Sequence, residues 1–184
     1  VTSVNMGQNF VFDSTMMWAP FIRQLISMLR NAHNTLYEQG VGYKDGGTVE
    51  EYFRPVGPRP TPLQKPYQIR LLAITVEPDI AVRRGILRNF STGQSAPIQT
   101  QLRSFRLFAE NFNEYVSLVD TVTLYNNNVF AYLGKGELPP VIAEKTDDQL
   151  EIRDTGAFAL FLRQQHLNEN ASNAEELYSA VRAG

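Results

Sequence analysis

The chain has 184 residues, 43% of them hydrophobic, and carries 17 basic against 19 acidic residues. This is ordinary globular material with room for a core, and no apolar run nears the roughly 20 residues that cross a bilayer. The first stretch lacks the layout of a signal peptide, so no membrane partner is expected. Cysteine is absent and only two histidines occur, His33 and His166, which excludes a disulfide framework and thiolate chemistry and argues against a metal centre. No glycine-rich phosphate loop is present, since Gly46-Gly47 lacks a following lysine. Neither an enzyme nor a bound cofactor is expected.

In chain order, Val4 to Phe12 reads as an extended arm, with Asp13 or Ser14 placed to cap the first helix. From Pro20, apolar residues recur at three- and four-residue steps through Phe21, Ile22, Leu25, Ile26, Met28, Leu29, Ala32 and Leu36. That spacing predicts an amphipathic helix stopped by Gly40-Val41-Gly42. Thr48 and Glu51 have capping-box spacing for a short second helix that must end before Pro55. Prolines at 55, 58, 60, 62 and 66 then enforce an irregular connection, and Tyr67, Ile69 and Leu71 alternate as a short strand.

Glu77-Pro78 opens a third helix, which frays around Asn89 to Gly93. The stretch from Ser91 to Pro97 has loop chemistry, and a long helical pattern resumes at Ile98 and is expected to reach Tyr132. An acidic loop with Glu144, Asp147, Asp148, Glu151 and Asp154 comes next, and two short terminal helices are read at Thr155 to His166 and Ala174 to Val181. The expected fold is mainly α: a four-helix bundle with a small β element and an extended C-terminal region. Residues 1–136 form the bundle and 137–184 the extension of the same domain.

Between Ile80 and Ala109 stand five arginines, Arg83, Arg84, Arg88, Arg103 and Arg106, with no aspartate or glutamate. The guanidinium is a planar fork that matches phosphate oxygens, so the island calls for a polyanion. In a bundle it falls at one tip, spread over the end of helix three, the loop and the start of helix four. The alternative is a solvated face paired with acids from elsewhere.

The run Phe10-Val11-Phe12, Ser14, Trp18-Ala19-Pro20 and an apolar helix ending in a turn with Gln39 resembles the coat proteins of tobamoviruses. The likeness continues through Glu50 to Pro55, Tyr67-Gln68-Ile69-Arg70, and Glu77-Pro78 with Gly85. It covers about the first half of the chain, and the region after Gly136 is longer than in that family. The resemblance implies a capsid protein that polymerises as a helical homopolymer of identical subunits around single-stranded RNA, found in the virion and in the host cytoplasm during assembly. The resemblance implies that RNA phosphates are held without sequence preference by Arg88 and by Arg103 or Arg106. Arg84, Asn89, Ser91 and Thr92 join them as candidates from the island itself, and Arg83 and Arg84, which have no clear counterpart in that family, serve equally well as contacts to a neighbouring subunit.

The resemblance further implies that Glu50 and Glu77 oppose one another across subunits, where a weak calcium is the one metal contact it allows. It assigns lateral subunit contacts to aromatic residues such as Phe10, Phe12, Trp18, Tyr52, Phe53 and Tyr67. Two alternatives stand beside it. One is a flexible filamentous virus coat protein, suggested by Ser104-Phe105-Arg106; the other is a non-viral helical scaffold or adaptor subunit that binds an acidic partner.

Overall fold

The computed structural model describes residues 1–178 and divides the chain into two compact units, Val1–Ile69 and Arg70–Gly184. The fold is mixed α/β, with five helices and six strands in two sheets among the described residues, which corrects the expected four-helix bundle. None of the described helices is long and apolar enough to cross a membrane. The expected helix at Ala174 to Val181 is a short 3-10 turn, Ala174–Glu176, and its remainder lies partly outside the described residues.

In the first unit a short helix α1 (Thr2–Asn5) precedes α2 (Ala19–Asn31) and a two-stranded antiparallel ribbon, β1 (Thr35–Lys44) with β2 (Val49–Pro58). Helix α2 forms as its periodicity predicts, with Pro20 in its first turn and Ile22, Leu25, Ile26, Met28 and Leu29 buried. It ends at Asn31, short of the glycines. Gly40 and Val41 instead make a bulge within β1, where the pairing slips between Gln39 and Gly42. A β-carbon on Gly40 would overlap the carbonyl of Glu51, so glycine is required by the close approach of the two strands.

The predicted second helix is β2. Asp45, Gly46 and Gly47 all take positive φ (51°, 64° and 95°), the backbone of a tight hairpin turn, and Thr48 donates its hydroxyl to Asp45 O rather than capping a helix. Pro55 and Pro58 are tolerated because each strand of a two-stranded ribbon has an open edge.

Arg59 holds the first unit's ends together. Its guanidinium donates to the carbonyls of Ala32 (2.5 Å), Asn5 (2.7 Å) and Val4 (2.7 Å), satisfying the last residues of both helices with one cation. Around that point Val4, Leu25, Met28, Leu29 and Ala32 form a core, covered by Phe21, Tyr37, Phe53, Tyr67 and Ile69. The Asn5 amide pairs with both backbone groups of Tyr37, and the Gln24 amide with Glu50 O and Tyr52 N, so each helix is stitched to the ribbon.

In the second unit β3 (Arg70–Thr75) pairs in parallel with β4 (Thr121–Asn126), and antiparallel β5 (Val141–Lys145) and β6 (Leu150–Ile152) complete the order β3-β4-β5-β6. The expected acidic loop thus supplies two strands. Parallel neighbours need a long crossover, provided here by α3 (Pro78–Thr92) and α4 (Ile98–Leu118). Helix α4 stops fourteen residues before Tyr132, and buried Lys145 caps it by donating to Val116 O and Val119 O at 2.7 and 2.8 Å.

Helix α5 (Thr155–Arg163) begins on Asp154, whose carboxylate accepts from Ala157 N, and it packs Phe161 against Phe112 (4.9 Å between centroids) and Phe108 (5.8 Å). On β3, Leu71, Ala73 and Thr75 face this core while Leu72 and Ile74 are exposed.

Replacing Arg59 by alanine leaves three carbonyls without their cation. Charge-assisted hydrogen bonds contribute about 1.5–3 kcal/mol each, and the exposed part of the loss is recovered by water, so a destabilisation of about 3 kcal/mol is expected in chemical denaturation. An unchanged midpoint would show that the ribbon and helices hold without it.

Candidate phosphate-binding site

The C-terminal edge of the β3–β4 pair is tied tightly. Asn127 N donates to Thr75 O (2.8 Å), Glu77 N donates to the Asn128 side chain (2.7 Å), and Arg84 reaches back from α3 to donate to Asn127 O (3.0 Å). The first turns of α3 therefore stand directly over the strand ends. Helix α4 has 21 residues, about 31 Å, while the six residues of β4 span about 20 Å. Helix α4 leads back to the start of β4 and is about 10 Å longer than that strand. The two helices close on one another at Gly85, where a β-carbon would stand 2.9 Å from the Gln101 side chain.

Four of the five arginines of the two crossover helices have exposed side chains, and they differ in what they touch. Arg106, the more buried fifth, donates to Glu110 (2.8 Å) and Glu169 (3.0 Å), and these bonds hold its guanidinium more firmly protonated than usual, Glu169 foremost. Arg83 leans toward Asp79 at 3.9 Å. Arg84, Arg88 and Arg103 are exposed and make no ion pair with a carboxylate among the described residues. Arg84 and Arg88 are one turn apart on α3 and so share a face.

Asn89 accepts Gly93 N through its carbonyl at the left-handed cap of α3 (φ 69°), and Ser91 and Thr92 both donate their hydroxyls to Arg88 O. Those two hydroxyls secure the helix end. Leu87 and Phe90 beside them are strongly exposed, at 68% and 84%.

The two expected carboxylates occupy different units. Glu50 lies in β2, where it accepts from Trp18 and Tyr52, and Glu77 is the residue before α3. Their expected pairing rests on the rod-virus resemblance alone. Burial pushes the Glu77 carboxyl above its ordinary range, with Asp79 adding to the shift and Arg163 opposing it. Among the described residues no group of three or more histidines, aspartates or glutamates could hold a metal ion. Of the aromatic residues assigned to lateral contacts, Phe53 and Tyr67 pack on the first unit's core, Phe12 stacks on Phe21, and Phe10 meets Tyr67 edge-on.

The sequence displays the arginines but not their support. The strand ends and Asn127-Asn128 carry no motif, and the single available signal is Leu71-Leu72-Ala73-Ile74, a continuous apolar run typical of a parallel strand.

No protein-family model matches the chain, and no solved structure matches it. It is 33% identical over 186 residues to an Arabidopsis thaliana protein named calmodulin calcium-dependent NAD kinase, an alignment that takes in 97% of this chain and 34% of that protein. The chain thus spans about a third of its relative's length. This similarity, together with the mixed α/β fold, overturns the tobamovirus resemblance and with it the capsid function, the two alternatives, the RNA and homopolymer partners, and the expectation of no enzyme.

Glu77 gives a test of the electrostatics at the strand edge. A carboxyl with a raised folded-state pKa binds its proton more tightly when folded, so its favourable contribution is complete below the ordinary carboxylate pKa and is lost as pH rises past the raised value. Glu77→Gln is therefore expected to melt higher than the parent at neutral pH, the gap closing as pH falls toward 4. A gap that persists in acid would place the effect in packing rather than charge.

Proposed function

We propose that this chain supplies the phosphate-gripping part of a nucleotide kinase of the kind its Arabidopsis relative is named for, with Arg84, Arg88 and Arg103 holding the polyphosphate. The observation that supports the reading is that the crossover joining two parallel strands carries three arginines without acidic partners among the described residues, one of them, Arg84, bonded at the strand edge. In open α/β sheets ligands bind beyond the carboxyl ends of the strands. Kinases move a phosphoryl group from a nucleoside triphosphate to a hydroxyl of the acceptor, and the charge that spreads over the phosphoryl oxygens is stabilised mainly by fixed cations and donors.

Each arginine has a distinct part in this reading. Arg84 is oriented by its bond to Asn127 O, which fixes one arm of its fork and leaves the other for an anion. Arg88 stands one turn later, and Arg103 is an exposed residue in the second turn of α4. Arg106 serves the fold, because its bond to Glu169 fastens α4 to the segment after α5 while its bond to Glu110 lies within α4.

The test compares two sets of variants in the full chain, with triphosphate binding measured calorimetrically and phosphoryl transfer from ATP to NAD assayed alongside. Arg88→Ala and Arg103→Ala are each expected to weaken triphosphate binding about tenfold or more, the equivalent of one lost charge-assisted hydrogen bond, with the melting temperature unchanged. Arg106→Ala should do the reverse, lowering stability by about 1 kcal/mol while leaving binding within a factor of about two. Binding that survives the loss of both Arg88 and Arg103 would remove the crossover from the site.

A further inference from the structure

The first unit carries a second cluster that the phosphate site does not use. Trp18, the residue before α2, is the sole tryptophan of the chain and is 37% exposed. Its indole N–H donates to Glu50 Oε1 at 2.6 Å and lies 2.8 Å from the Tyr52 hydroxyl, which itself donates to the same Glu50 oxygen at 2.9 Å. Tyr43 sits directly opposite Glu50 in the ribbon register, and its ring, half exposed, meets the Trp18 ring edge-on, 6.0 Å between centroids and 75° between planes.

Two exposed aromatic rings meet at near right angles, and the Glu50 carboxylate lies at the N–H edge of the indole. Glu50 is held by two neutral donors, and no lysine or arginine pairs with it among the described residues. Tyr52 remains a donor through neutral pH, since burial and then the Glu50 carboxylate push its hydroxyl above the usual range.

Aromatic faces attract cations through the ring quadrupole, tryptophan most strongly, and a carboxylate beside them supplies the countercharge. An apolar ligand would strand the carboxylate, and an anion would be repelled by it. We propose that Trp18, Tyr43 and Glu50 form a binding site for a planar organic cation, the pyridinium ring of an oxidised nicotinamide nucleotide. The choice of pyridinium among organic cations rests on the kinase reading above; the preference for a cation rests on the cluster itself. Glu50 thereby acquires a role as the fixed countercharge of a bound ring.

The experiment tracks the intrinsic fluorescence of Trp18 in the full chain, which reports from inside the proposed site. Titration with N-methylnicotinamide cation should give saturable quenching, above the linear collisional quenching that free tryptophan amide shows. Neutral nicotinamide should bind at least tenfold more weakly. Glu50→Gln keeps an acceptor for Trp18 and removes the charge, and Tyr43→Ala removes one wall; each should weaken cation binding about tenfold while near-ultraviolet circular dichroism stays native.

Linear quenching by the cation, or saturable quenching equal for cation and neutral ring and unchanged in both variants, would overturn the proposal. The two readings fail separately. Saturable, Glu50-dependent binding without NAD phosphorylation would uphold the cation site against the kinase reading. NAD phosphorylation with linear quenching at Trp18 would do the opposite.

Discussion

Parallel pairing of β3 with β4 is the constraint on which the candidate site depends. An antiparallel pair is closed by a few turn residues, but a parallel pair forces the chain back along the whole length of the sheet. In this protein the return is made by two helices, the second about 10 Å longer than the strand it leads into. All five arginines of the island lie on these two crossover helices. Arg84 ties α3 to the sheet through Asn127, while Leu87 and Phe90 further along the helix are exposed.

The first unit solves a different problem. Its two-stranded ribbon is too small to be stable by itself and needs a helix against one face. Helix α2 provides that face with a run of buried residues from Ile22 to Leu29, and Arg59 neutralises the carbonyls left open at the ends of α1 and α2. With the inner face fixed, the residues at the far end of the ribbon are released for other work. Tyr43, Glu50 and Tyr52 surround the start of α2, where Trp18 stands.

How far an element is legible in the sequence depends on how local its signal is. Helix α2, the start of α3 at Glu77-Pro78, its end at Gly93 and the start of α4 near Ile98 are set by periodicity, proline and glycine within a few residues, and the structure places them where those signals do. The ribbon reads as helix because its two signals are shared. Gly40-Val41-Gly42 serves as well for a bulge as for a helix cap, and Thr48 with Glu51 has capping-box spacing while Asp45-Gly46-Gly47 just before it makes a hairpin turn. Strands β4 to β6 read as helix and acidic loop. Their pairing is decided by partners elsewhere in the second unit, and Lys145, which ends α4, lies twenty-seven residues beyond it. Among the arginines, the cluster is plain in sequence, but nothing local separates Arg106 from its neighbours, because its partner Glu169 is remote.

The same arginine island serves two incompatible readings because phosphate chemistry does not depend on what the phosphate is attached to. A guanidinium fork grips a ribose-phosphate backbone and a nucleotide polyphosphate alike. What separates them is the scaffold. A coat needs its cations repeated along a groove that continues from subunit to subunit, whereas a kinase needs a few of them converging where one triphosphate ends. Three arginines on the crossover of a single parallel pair, with Arg84 fixed at the strand edge, are too few and too local for a continuous groove, and this is why the scaffold rather than the arginine island turns the reading.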